Sequence, residues 1–149
     1  MRTFVAVLEN QLNSTRAFLG GISEKQGNHR YEPGKWSIKE VVGHVADTER
    51  VFAYRALRFA RNDQTELPGF DQDTFAANAN FANLPLSDIV DEYVAVRMAT
   101  VLLLRHVAND AWNRRGIANK NEMTVRALAF TIAGHELHHI DILKTRYLT

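Results

Sequence analysis

Apolar residues recur every three or four positions in four separate stretches of the chain, and breaker-rich segments divide them. The first stretch covers about residues 4–19. It places Phe4, Leu8, Leu12, Thr15 and Leu19 on one stripe, and Gly20-Gly21 ends it. The second opens at Ser37. Ser37 and Glu40 have the spacing of a capping box, in which hydroxyl and carboxylate each satisfy an orphan N–H of the first turn. Ile38, Val41, Val45, Phe52, Ala56 and Phe59 continue its stripe to about Arg61. The third starts near Pro85 or Ser87 and runs to about Val107, with Ile89, Tyr93, Arg97, Thr100 and Leu104 facing inward. Thr124 is the N-cap of the fourth, which carries Val125, Leu128, Ile132, His135, His139 and Ile142 on one face.

The connections refine this outline. Pro33-Gly34 turns the chain before the second helix, and Asn109, Asp110 and Gly116 interrupt it before the fourth. Residues 62–84 are mixed, with a turn at Pro68-Gly69 and a short helix expected over 73–82. That connection is long for antiparallel neighbours and fits a crossover between parallel helices, or a lid. No stretch alternates in the manner of a strand, so no sheet is expected. The pattern predicts an all-α fold, a four-helix bundle with a long crossover between helices 2 and 3, as one domain over residues 1–149.

Composition narrows the function classes. The length of 149 residues suits one domain, and 46% hydrophobic with 23% charged residues is ordinary for a globular chain. A net charge of +1 argues against nucleic acid as a partner. No apolar stretch is long enough to span a membrane, and the first residues lack a signal-peptide core and cleavage site, so a cytoplasmic protein is expected. There is no Cys. No protein thiol can act as nucleophile or ligand, and any thiol chemistry would use a small molecule.

Histidine is then the natural metal ligand. Of 6 His, three fall within Gly134-His135-Glu136-Leu137-His138-His139. The i, i+4 spacing of His135 and His139 puts both imidazoles on the apolar face of one helix, one turn apart. Two such nitrogens can reach one ion at roughly 2.1 Å each, or they can hydrogen-bond each other or a buried acid. His138 points nearer to solvent. For a third ligand, His44 at the edge of the second helix's stripe is preferred over His106 and His29. Asp47, three residues on, is a possible partner for the second ring nitrogen of His44.

Two further residues carry candidate chemistry. His135-Glu136-Leu137-His138-His139 matches the zinc-protease pattern H-E-x-x-H, which would make Glu136 a general base. That reading lacks a downstream third ligand and substrate-pairing strands. Arg97 lies on an apolar stripe, where an Arg needs a partner. Either Glu49 pairs with it, or it anchors an anionic substrate.

The stretch Pro33-Gly34-Lys35-Trp36-Ser37-Ile38-Lys39-Glu40 with His44-Val45-Ala46-Asp47, together with Gly134-His135-Glu136-Leu137-His138-His139 and Arg97, resembles the DinB/YfiT-like family of helical metal proteins. The resemblance covers nearly the whole chain. It implies a four-helix bundle with a long crossover and a divalent ion (zinc, nickel or iron) held by His44, His135 and His139. It also implies a small-molecule substrate and a homodimer. Characterised relatives include thiol S-transferases that use bacillithiol or similar cofactors, so a low-molecular-weight thiol is an implied co-substrate.

Three functions remain open at this point. The first is a metal-dependent thiol transferase or related hydrolase. The second is a non-catalytic, metal-stabilised binding or stress-response module. The third is a small zinc protease.

Overall fold

The computed structural model describes residues 2–149, and each periodic stretch of the sequence forms a helix. Helix α1 spans Arg2–Gly20, and a one-turn helix α2 follows at Glu24–Gly27. Helix α3 is Ile38–Ala60. The crossover contains α4 (Gln72–Asn78) and a 3-10 turn at Phe81–Asn83. Helix α5 is Leu86–Arg105 and α6 is Val125–Ile142, continued by a π turn at Leu143–Tyr147. No described helix is long and apolar enough to cross a membrane.

The caps expected from the sequence are formed. Ser37 Oγ accepts from Glu40 N, and the Glu40 carboxylate accepts from Ser37 N. Thr124 Oγ1 accepts from Ala127 N. These contacts fix where α3 and α6 begin, and so which residues of each helix face the core.

Contacts along the helices give their directions. On α3 and α5, Arg50 pairs with Glu92, while the later Ala56 and Phe59 share a cluster with Val101 and Leu104. The two helices are therefore parallel, as the long connection requires. On α1 and α6, Gln11 Nε2 donates to Ala133 O at 3.1 Å and Thr15 Oγ1 donates to Glu136 Oε1, so these two are also parallel. Glu9 of α1 meets Arg105 at the end of α5, while the later Thr15 shares Glu136 Oε1 with the earlier Tyr93, which makes α1 antiparallel to α5.

The core is divided. One apolar cluster gathers Leu8, Phe59, Leu104, Trp112 and Leu128. A second gathers Leu19, Ile38, Val42, Ile89 and Leu143. Between them every long helix contributes buried polar residues: Gln11 and Thr15, Thr48 and Glu49, Arg97 and Thr100, and Glu136. A polar layer inside a bundle is tolerated only where its groups satisfy one another.

The structure corrects two expectations. Strands β1 (Arg115–Ala118) and β2 (Asn121–Thr124) form an antiparallel hairpin where no sheet was expected. Asn119 and Lys120 both have positive φ, 49° and 62°, the conformation that a two-residue hairpin turn demands. Four-residue strands are too short for alternation to show in a sequence. Leu67 joins the hairpin by donating to Ile117 O and accepting from Asn119 N, each at 2.9 Å, which ties down the start of the crossover. The short helix expected over 73–82 instead ends at Asn78, and Asn80 turns the chain with φ 61°. Phe81 then enters the core against Gly43, where a Cβ would collide with its ring. Gly43 thus lets the crossover pack onto α3 beside His44.

Candidate metal centre

His44 comes from α3, and His135 and His139 come from α6. The three rings converge, with centroids 4.9 Å (His44–His135), 4.9 Å (His44–His139) and 4.6 Å (His135–His139) apart. One ring nitrogen from each lies within 4.8 Å of the other two. Nε2 of His44 is 3.1 Å from Nε2 of His135. Nitrogens bound to one tetrahedral ion at roughly 2.1 Å sit about 3.4 Å apart, so this separation suits a shared ligand.

Electrostatics favour the same use. Burial pushes all three histidines down to about 4, and the neighbouring imidazoles add to the effect. At neutral pH the rings are uncharged and their lone pairs are free to bind a cation. One buried and two half-buried imidazoles aimed at one point, with neutral donors, fit a divalent ion.

The support around His44 differs from expectation. Its Nδ1 lies 3.3 Å from Thr48 Oγ1, one turn along α3. Asp47 pairs instead with Arg50 at 3.0 Å, within α3. Thr48 is 2% exposed. The Trp36 ring packs 4.8 Å from His44 on the other side. The i+4 spacing of Thr48 from His44 is the sequence signal that would have identified it.

The other histidines lie elsewhere. His138 is exposed, with its ring 5.3 Å from that of His139. His106 is the exposed C-cap of α5 and lines a separate cleft with Trp112, while His29 is exposed in the loop before α3.

Arg97 and Glu136, the two catalytic candidates, belong to the polar layer. Arg97 Nε and Nη2 donate to the Glu49 carboxylate at 2.8 Å each, and Nη2 also lies 2.6 Å from Glu136 Oε2. Glu136 Oε1 accepts from Thr15 and, at 2.8 Å, from Tyr93 Oη. Burial alone would lower the Arg97 pKa; the Glu49 hydrogen bond and charge, then Glu136, reverse this and raise it. Arg97 is 0% and Glu136 1% exposed. Of the two readings of Arg97, the pairing with Glu49 is the one that forms. Glu136 faces α1 and α5 while His135 and His139 face α3, so its carboxylate points away from the histidine cluster. Arg97 is enclosed by the Glu49 and Glu136 carboxylates.

Two clefts reach the cluster. One, of about 510 Å³, has His135, Thr48, Phe52 and Arg55 on one side and Asn119 and Met123 of the hairpin on the other. The second, of about 300 Å³, has His139, Trp36, Tyr31 and Tyr147 in its wall. Gln72 and Asp73 of α4 line both, so the crossover sits over the cluster and divides the approach to it.

The chain is similar to known proteins in sequence and in structure. It is 24% identical over 139 residues to a protein of Oceanobacillus iheyensis named "Putative metal-dependent hydrolase", covering 92% of this chain and 79% of the relative. A protein of Geobacillus thermodenitrificans with the same name is 27% identical over 104 residues, covering 68% of this chain and 58% of that one. YfiT from Bacillus subtilis, described as a probable metal-dependent hydrolase with an unusual four-helix bundle topology, superposes with a TM-score of 0.74. It is 16% identical, with 96% of this chain and 85% of that one covered. The sequence profile of the DinB superfamily matches residues 8–143, and the chain belongs to that superfamily.

Proposed function

We propose that the protein is a divalent-metal-dependent enzyme acting on small molecules, in which His44, His135 and His139 hold the ion. The observation that carries this reading is the convergence of three neutral ring nitrogens within 4.8 Å of one another, with clefts on two sides. The names of the relatives, metal-dependent hydrolases, agree with it.

When bound, a divalent ion with three protein ligands keeps open positions and acidifies a water or a thiol brought to them. The chain's own residues prepare that site. Thr48 holds His44 at Nδ1 and leaves Nε2 facing His135, where it would serve as a ligand. Trp36 and Phe52, whose rings lie 4.8 Å from His44 and 6.2 Å from His135, limit the access of bulk water. The Glu49–Arg97–Glu136 network ties α6 to α3 and α5, which fixes the rotation of α6 that turns His135 and His139 inward.

Hydrolysis and transfer of an external thiol share this site and differ in the nucleophile. The chain has no Cys, so a low-molecular-weight thiol would supply the sulfur in the transfer reaction. The two clefts suit a two-reactant reaction, with one reactant approaching from each side. The test is turnover of metal-loaded protein with esters and amides in water, and with monochlorobimane plus low-molecular-weight thiols. Metal-dependent turnover that is lost in His44→Ala supports the proposal. Metal loading without turnover in either assay favours a non-catalytic binding module.

A further inference from the structure

Arg55 departs from how buried arginines are usually accommodated. It is 6% exposed on α3, yet no carboxylate oxygen among the described residues lies within 4.0 Å of its nitrogens. Arg97, the other strongly buried Arg, has two carboxylates. Arg55 has a backbone carbonyl: Nη2 donates to Pro68 O at 2.9 Å. Its guanidinium also lies 5.6 Å from the Phe52 ring centroid and 6.0 Å from that of Phe70. Burial lowers its pKa with no acidic neighbour opposing it. A buried guanidinium is ordinarily paired, because desolvating a charge without a counter-charge is costly.

The position of Arg55 indicates what completes it. It lines the 510 Å³ cleft that opens onto His135. Asp71 and Asp73 line the same cleft, but both are exposed and neither reaches Arg55; Asp71 Oδ1 accepts from Thr74 N as the cap of α4. Phe52, Phe70 and Met123 supply apolar wall on either side. The cleft therefore offers a fixed, aromatic-flanked guanidinium beside the histidine cluster.

We propose that Arg55 anchors a carboxylate on the substrate, in the cleft that opens onto His135. The planar fork of a guanidinium matches a carboxylate, and the phenylalanines already hold it in place, so little side-chain entropy is lost on binding. The ligand class is a small molecule with a carboxylate on an apolar body. The inference deepens the proposed enzymatic reading, while its test depends on neither metal nor turnover.

The experiment is an NMR titration of metal-stripped protein with phenylacetate, reading the Arg55 Nε–Hε signal, with phenylacetamide as the neutral control. The expected result is a saturable shift with phenylacetate, no comparable binding of the amide, and affinity about ten- to a hundredfold lower in Arg55→Gln. Arg55→Lys keeps the charge and loses the fork, and should fall between. If Arg55→Gln does not fold, the wild-type signal and the Lys variant carry the test. Equal binding of acid and amide, equal affinity in the variants, or no saturable shift overturns the proposal. An Arg55-dependent site in a protein without metal-dependent turnover supports the anchor and counts against the enzymatic reading alone.

Discussion

His44 is held at its Nδ1 edge by Thr48 and packs against the Trp36 ring. A ligand's outer hydrogen bond sets its orientation, and removing such a bond weakens metal binding about 10- to 100-fold. Thr48→Val should show that loss by calorimetric titration with zinc, while Thr48→Ser keeps wild-type affinity. Arg97 makes a different prediction. Arg97→Ala leaves Glu49 and Glu136 buried without a counter-charge and should cost about 3–5 kcal/mol in urea unfolding. The pair of His135 and His139 was legible because i, i+4 geometry is local. So was the Glu49–Arg97 pair, since a buried Arg requires an acid. The place of Glu136 was not legible, because the short motif around it is local while its partner Thr15 lies 121 residues away in the chain. Arg55 gave no sequence signal, because its burial depends on Phe70 and Pro68 of the crossover.

At the scale of elements, the four long helices and the caps at Ser37 and Thr124 were legible, because each rests on periodicity or on contacts three residues apart. The hairpin and the break at Asn80 were not, since the first turns on two residues with positive φ and the second on one. The C-terminal π turn was not legible either. It docks through Tyr147, whose Oη donates to Trp36 O at 2.8 Å. Burial pushes the Tyr147 phenol up to about 12. Its pKa in an unfolded chain is about 10, so the folded state favours the protonated form. The contribution is present below about pH 10 and is lost as pH rises toward 12. Tyr147→Phe should remove this alkaline step from a stability–pH profile and lower stability at neutral pH.

On the scale of the whole molecule, two apolar clusters lie at either end of the bundle and the polar layer lies between them. The clusters carry the folding free energy, and the histidines sit at the edge of the layer where the clefts begin. The metal-stripped protein should therefore remain helical by far-UV circular dichroism. Zinc at a hundred times its dissociation constant should add about 2.7 kcal/mol and raise Tm in proportion. The resemblance to the DinB family anticipated this architecture, and the superfamily match over residues 8–143 bears it out. The most direct test of the central claim is metal content after purification and reloading, measured by mass spectrometry on the wild type and on His44→Ala, His135→Ala and His139→Ala. The account predicts one divalent ion per chain in the wild type and loss of most of it in each variant. Full metal content in all three variants, or none in a folded wild-type protein loaded with zinc, nickel or iron, would contradict it.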